Sequence, residues 1–176
     1  MEKLEVLITR EQIREKVAKL AAQLREDYHN KNPVLVGILK GSFVFMSDLI
    51  RNLDMPLRID FMSVSSYGRE MESSGEIELL QDLKSPIEGM YVLVVEDIVD
   101  TGMCLSYVLN ILNQKKPASV KVCTLLDKSS RRKKPVNIDY TGFTIPEKFV
   151  VGYGLDFNEQ YRHLPDVCFL DTESQS

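Results

Sequence analysis

The chain has 176 residues, 44% of them hydrophobic and 27% charged, with a formal net charge of -4. That is the composition of one soluble globular domain with a substantial core, and its acidity argues against a general nucleic-acid binder. No apolar stretch approaches the length needed to span a bilayer, and Met1–Glu5 has no apolar signal core, so a cytoplasmic protein without membrane contact is expected.

Thr9-Arg10-Glu11-Gln12 reads as a capping box. Ile13, Val17, Leu20, Ala21, Leu24 and Tyr28 then recur at helical spacing, predicting about five turns of amphipathic helix that end at Asn30-Lys31-Asn32-Pro33. Val34–Leu39 is a buried strand, Lys40-Gly41-Ser42 a turn, Phe43–Leu53 a helix and Leu57–Val64 a second strand. Ser65–Gly75 is polar without a period, and a loop of that length inside a domain is usually functional or disordered. A short strand is expected over Glu76–Leu80 and a central one over Tyr91–Val95. Leu105, Val108, Leu109 and Leu112 mark the helix after it. Val120–Leu126 is another strand, Lys128–Lys134 a basic loop, and Phe149–Gly152 and Val167–Leu170 the last strands. Apolar runs without alternation, separated by helical patterns, predict an α/β fold with a parallel sheet covered on both faces, and ligands of such sheets bind beyond the carboxyl ends of the strands.

Cys104, Cys123 and Cys168 are odd in number and not at metal-ligand spacing, so free thiols are expected. Cys104 stands at a helix start, which should lower its pKa.

The run Val92–Leu105 carries the most chemistry. It places Glu96, Asp97 and Asp100 within five positions, where like charges repel unless something positive or hydroxyl-rich faces them. The backbone N–H groups of Thr101–Leu105 open the following helix and form a natural phosphate seat. One loop thus offers acceptors for a sugar or metal and donors for a phosphate.

Val94–Leu105 resembles the phosphoribosyl-pyrophosphate (PRPP) motif of type I phosphoribosyltransferases. Leu39–Ser42, Val64–Gly68, Leu125–Lys128, Lys148–Asp156 and Tyr161–Pro165 resemble, in this order, the corresponding stretches of hypoxanthine(-guanine) phosphoribosyltransferases, so the likeness runs from about Leu7 to Leu170. It implies a parallel-sheet core flanked by helices, all within one domain over residues 1–176. A small hood would come from the N- and C-terminal segments, and a flexible lid from about residues 65–76. The implied reaction is Mg²⁺-dependent transfer of the phosphoribosyl group from PRPP to hypoxanthine or guanine, giving IMP or GMP and pyrophosphate. Relatives of this kind are usually homodimers or homotetramers.

The resemblance also implies roles. Glu96 and Asp97 would hold the ribose 2- and 3-hydroxyls, directly or through Mg²⁺. Thr101, Gly102, Met103 and Cys104 would wrap the 5-phosphate. Asp100 would act as general base toward the purine N7; its rival role is a simple helix N-cap. Lys128 would donate to the purine O6, Phe149 would stack on the ring, and Val150 would meet the base edge through its backbone. Asp156 would ligate a Mg²⁺ carried on pyrophosphate, and Lys40, Gly41 and Arg162 would grip the pyrophosphate itself. Ser66, Tyr67 and Gly68 would close as part of the lid. Such proteins often have a cis peptide at the position of Leu39-Lys40.

Cys104 departs from the pattern, which usually has Thr there. A thiol is a poor donor, so one phosphate hydrogen bond is weakened by about 0.5–1.5 kcal/mol. Rival readings are a phosphoribosyltransferase for adenine, xanthine or a pyrimidine, a regulatory RNA-binding relative, and a phosphoacceptor receiver domain. Turnover with each base, salt-sensitive RNA binding and labelling by a small phosphodonor separate them.

Overall fold

The computed structural model describes residues 3–66 and 77–171. In chain order the elements are β1 (Lys3–Ile8), α1 (Arg10–Asp27), β2 (Val34–Leu39), α2 (Phe43–Leu53), β3 (Arg58–Ser66), β4 (Ile77–Gln81), β5 (Tyr91–Val99), α3 (Met103–Gln114), β6 (Ser119–Asp127), β7 (Tyr140–Thr144), β8 (Val150–Val151) and β9 (Val167–Asp171).

A six-stranded sheet has the order β4-β3-β2-β5-β6-β7, parallel except for β4. Strands alternate their side chains between faces. Leu35, Leu93, Val95, Cys123 and Leu125 therefore pack with Val17, Leu24, Phe45 and Leu49 of α1 and α2. Val34, Val36, Val92, Val94 and Val122 pack with Leu105, Val108 and Leu112 of α3. The sheet is thus buried on both faces, which is why its strands read as continuous apolar runs. Helix α1 opens with the expected capping box: Gln12 N–H donates to Thr9 Oγ1 at 3.2 Å and Thr9 N–H to Gln12 Oε1 at 2.9 Å. Such a cap is worth about 1 kcal/mol.

A second, three-stranded antiparallel sheet has the order β1-β9-β8 and joins the two ends of the described chain, with Lys3 opposite Asp171.

From β2 the chain moves outward through β3 to β4, then returns to lay β5 on the other side of β2. That reversal is a topological switch point, where open α/β sheets form their ligand crevice. The pairing of β2 with β5 stops at Gly37 and Val95, so Ile38–Leu39 and Glu96–Val99 part company. The crevice opens between them.

Three spans differ from the sequence reading. β5 runs on to Val99, because Glu96, Ile98 and Val99 still pair with Thr124, Leu126 and Asp127 of β6. The acidic residues Glu96 and Asp97 thus lie within a strand rather than beyond it. β1 and β7 were not foreseen. β1 is largely exposed, with Val6 at 53%, and its partner β9 lies at the far end of the chain, so no local pattern marks it. β7 is a five-residue edge strand whose Gly142 lies directly under the Leu125 carbonyl.

Candidate functional site

Two adjoining cavities occupy the crevice, of about 550 and 230 Å³, sharing Leu39, Gly41, Val64, Asp97, Ile98 and Asp100. The smaller contains Glu96, Thr101, Gly102 and Cys104. The larger contains Lys40, Lys128, Phe149, Val150, Asp156 and Arg162. The structure therefore gathers onto one edge residues spread from position 40 to 162. Met103 begins α3 between Gly102 and Cys104 without itself lining the smaller cavity. Ser66 ends β3, whereas Tyr67 and Gly68 lie outside the described residues. A roomier groove of about 850 Å³ lies beyond Arg162 among α1, α2 and residues 162–165, but holds none of the acidic or phosphate-loop groups.

At the acidic wall, Glu96 is only 6% exposed. Burial first, and then the charge of Asp97, push its carboxyl well above the ordinary value. Asp97 is also raised by burial, while the Ile98 N–H, donating to Oδ1 at 2.9 Å, pulls the other way. The two carboxyls share a hydrogen bond, and the cation that acts on Asp97 is Arg162. Gly41 is required opposite: a Cβ there would run into the Asp97 carboxylate.

Asp100 is no helix cap. α3 begins at Met103 with Gly102, at φ +81°, as its N-cap. The Asp100 carboxylate instead stands between Arg131 Nε at 3.5 Å and Lys128 Nζ at 4.0 Å. Its Oδ1 is buried and accepts no hydrogen bond. A buried acceptor of that kind is costly unless a ligand donor completes it. Lys128 is 5% exposed, and burial lowers its pKa, with Asp100 acting in the opposite direction. An ammonium and a carboxylate thus face one small space side by side.

Thr101 accepts from Met103 N–H at 3.4 Å, so its hydroxyl faces the helix entry. Cys104 corrects the expectation of a lowered pKa. Burial, and then the charges of Glu96 and Asp97, push the thiol up, outweighing the helix terminus. All three cysteines are free.

At the opposite wall, residues 152–164 fold back on themselves through Gly152–Leu155, Tyr153–Leu164 and Phe157–Gln160 backbone bonds. That fold brings Arg162 to Asp156 at 3.0 Å and to the Gly154 carbonyl at 2.7 Å. Lys40, just after the cis Leu39-Lys40 peptide, pairs with Glu159 at 3.0 Å, and Arg162 reaches the same carboxylate at 3.5 Å. Phe149 is 43% exposed and meets Phe157 edge to face at 5.5 Å, so it lines the cavity rather than the core.

Sequence reasoning missed Glu159, Arg131, Arg132 and Asp127. Only Glu159, three residues before Arg162, carried a local signal. Glu96, Asp97 and Asp156 do not converge on one point: among the described residues no three His, Cys, Asp or Glu side chains form a metal cluster. Magnesium needs none, since it takes one or two carboxylates plus substrate phosphates and water. The buried Glu96–Asp97 pair, whose carboxyls share a hydrogen bond, offers oxygen ligands to such a cation.

Comparison with known proteins agrees with this arrangement. The phosphoribosyl transferase domain family model matches residues 8–158. The hypoxanthine-guanine phosphoribosyltransferase of Bacillus subtilis is 47% identical over 165 residues, covering 94% of this chain and 92% of the relative. A crystal structure of a hypoxanthine phosphoribosyltransferase from Staphylococcus aureus superposes with a TM-score of 0.92 at 49% identity, covering 98% of this chain and 94% of that one. That of the Trypanosoma cruzi enzyme in complex with the product IMP gives 0.88 at 43%, covering 96% and 95%. With a phosphate-loop motif, a switch-point crevice and relatives matched over nearly their whole length, this chain belongs to the phosphoribosyltransferase family, among its hypoxanthine(-guanine) members.

Proposed function

We propose that the chain performs purine salvage by transferring the 5-phosphoribosyl group of PRPP to hypoxanthine or guanine, releasing pyrophosphate and IMP or GMP. The observation that carries this reading is the part-exposed Asp100 carboxylate, lining the crevice beside the Lys128 ammonium two residues before the helix entry at Gly102. A 6-oxopurine presents an N–H and a carbonyl oxygen on one edge. Asp100 accepts the first and Lys128 donates to the second; adenine, with an amino group in place of the oxygen, offers Lys128 nothing.

The residues divide the work. Glu96 and Asp97 bind the ribose hydroxyls. Thr101–Cys104 receive the 5-phosphate at the N-terminus of α3. Lys40, Gly41 and Arg162 bind pyrophosphate, exchanging Glu159 and Asp156 for its oxygens. Phe149 stacks on the base and Val150 offers its backbone to the base edge. As pyrophosphate leaves C1, positive charge develops on the ribose, the purine nitrogen attacks from the opposite face, and Asp100 takes the proton. Asp156, and Glu96 with Asp97, would hold the Mg²⁺ that accompanies PRPP, and that ion would supply neutralisation of the charge on the departing pyrophosphate. The lid that would exclude water, the competing nucleophile, is assigned to about residues 65–76, most of which lie outside the described residues. The β1-β9-β8 sheet serves as the hood. The protein works as a cytoplasmic homodimer or homotetramer, without nucleic acid or membrane. Among the described residues no helix is long and apolar enough to cross a membrane.

The test is to incubate the purified chain with PRPP, Mg²⁺ and each of hypoxanthine, guanine, xanthine and adenine, and measure nucleotide formed. Turnover with the 6-oxopurines but not adenine is expected. Turnover with adenine alone, or none with any base, overturns the reading.

A further inference from the structure

The carbonyl oxygens of Val99, Asp100 and Thr101, which lead into the phosphate loop, are tied to one segment. Lys128 N–H donates to Val99 O at 2.9 Å; Lys133 and Lys134 N–H groups both donate to Thr101 O, at 2.9 and 3.0 Å. The carbonyl between them, Asp100 O, accepts from the Arg132 side chain, Nε to O at 3.0 Å. The other end of the same guanidinium binds the Asp127 carboxylate. Both side chains are more than four-fifths buried. Gly102 owes its lack of a side chain to this contact. At φ +81° a Cβ would strike the Lys134 carbonyl and come within 2.9 Å of Arg132 Cδ.

With three consecutive carbonyls engaged by residues 128–134, none of them is free to turn toward the N–H groups that open α3. A carbonyl turned toward the phosphate seat would repel an anion, so the direction of these oxygens decides whether the loop binds phosphate. Two of the three are held by backbone groups that any sequence supplies. Asp100 O alone depends on a side chain, and Asp100 also carries the carboxylate between Lys128 and Arg131. A guanidinium can bridge a carbonyl and a carboxylate through two different nitrogens in a fixed fork; an ammonium cannot span them in the same way.

We propose that Arg132 is a positioning residue for the transfer reaction: anchored on Asp127, it holds the Asp100 carbonyl away from the phosphate seat, and with it sets both the seat and the orientation of Asp100. The proposal rests on the reading of residues 101–104 as that seat.

Steady-state kinetics and thermal unfolding of Arg132→Gln, Arg132→Lys, Asp127→Ala and Thr101→Val test it. Arg132→Gln is expected to raise the PRPP KM about tenfold or more and to lower kcat, while the hypoxanthine KM at saturating PRPP changes less than about twofold and Tm moves only a few degrees. Arg132→Lys should resemble Arg132→Gln, because the fork rather than the charge is what counts. Asp127→Ala, which leaves Arg132 in place without its anchor, should raise the PRPP KM by about threefold, and decides the matter if the Arg132 variants do not fold. A normal PRPP KM in Arg132→Gln, in Arg132→Lys or, where those fail to fold, in Asp127→Ala overturns the proposal. So does an equal rise in both KM values accompanied by a large fall in Tm, the signature of a scaffold role. Thr101→Val separates the underlying reading: if it leaves PRPP KM unchanged the seat itself is misplaced, whereas a raised KM there with a normal one in Arg132→Gln removes only the clamp.

Discussion

The two walls of the crevice carry opposite charge and have dealt with it in opposite ways. On the acidic wall, Glu96 and Asp97 lie side by side, and burial pushes both carboxyls up. On the cationic wall, Lys40 and Arg162 are already matched with Glu159 and Asp156. The first wall stores an electrostatic cost that a bound cation or hydroxyl pair relieves; the second gives up existing partners when an anion arrives. Binding energy is therefore gained at one wall and exchanged at the other. Asp100 and Lys128 stand between them, close enough to neutralise each other yet 4.0 Å apart.

The largest expected effect removes the group between the walls. Asp100→Asn keeps the size of the side chain but cannot take a proton, so turnover should fall by about 10²–10⁴-fold. PRPP KM should change less than about threefold, because neither wall is touched. Wild-type turnover would remove Asp100 as base. Lys128→Ala comes next. It deletes a buried charged donor worth roughly 1.5–3 kcal/mol, or about 10–150-fold in the KM for hypoxanthine. Discrimination against adenine should fall with it; full exclusion of adenine in this variant would place selectivity elsewhere.

The acidic wall makes a prediction of its own about stability. The folded chain binds a proton at Glu96 that the unfolded chain releases above the ordinary value of 4.5. Across that window the unfolded state holds fewer protons, so this group's contribution to stability falls as pH rises. Glu96→Gln, which has no proton to lose, should be more thermostable than the parent at pH 8, by roughly 2–8 °C. The gap should close as pH falls toward 4.5, and PRPP binding should weaken. Melting curves at several pH values check this, and a variant no more stable than the parent at pH 8 would show that the buried pair is satisfied in the free protein.

The same contrast explains what the sequence could reveal. The acidic wall is one continuous stretch, so its strand, turn and helix entry are recognisable from Val92 to Leu105 alone, although not that the strand continues through Glu96–Val99. β2 and α2 are equally legible, since their burial patterns are local. The cationic wall is built from Lys40 and from a segment 116 to 122 residues further on; the parallel-sheet pattern sets their turns on one edge, and only the resemblance to a family assigns Lys40 and Arg162 a common ligand. Glu159 and Arg132 were missed because each acts on a partner outside its own periodic segment: Glu159 on Lys40, Arg132 on the Asp100 carbonyl. Cys104 fails for a related reason. Its helix-start position is visible in sequence, but the burial and the two carboxylates that raise its pKa belong to the assembled crevice. β1 gave no sign because its strand partner lies more than 160 residues away.

The smallest effect tests whether the cationic wall is truly in exchange. Glu159 is exposed, and its hydrogen bond from Lys40 lowers its pKa below the ordinary value. If its carboxylate competes with pyrophosphate for Lys40 and Arg162, Glu159→Gln frees Lys40 and leaves Arg162 to Asp156 alone, and pyrophosphate should bind about two- to fivefold more tightly at low salt, the range of an exposed pair. The advantage should fade at high ionic strength, where screening already weakens the competing carboxylate. Calorimetric titration with magnesium pyrophosphate at low and high salt measures both. Weaker binding in the variant would reverse the assignment, because it would mean that Glu159 holds Lys40 and Arg162 in the geometry the anion needs. The cationic wall would then be preorganised by its carboxylates, and the two walls would differ in sign alone.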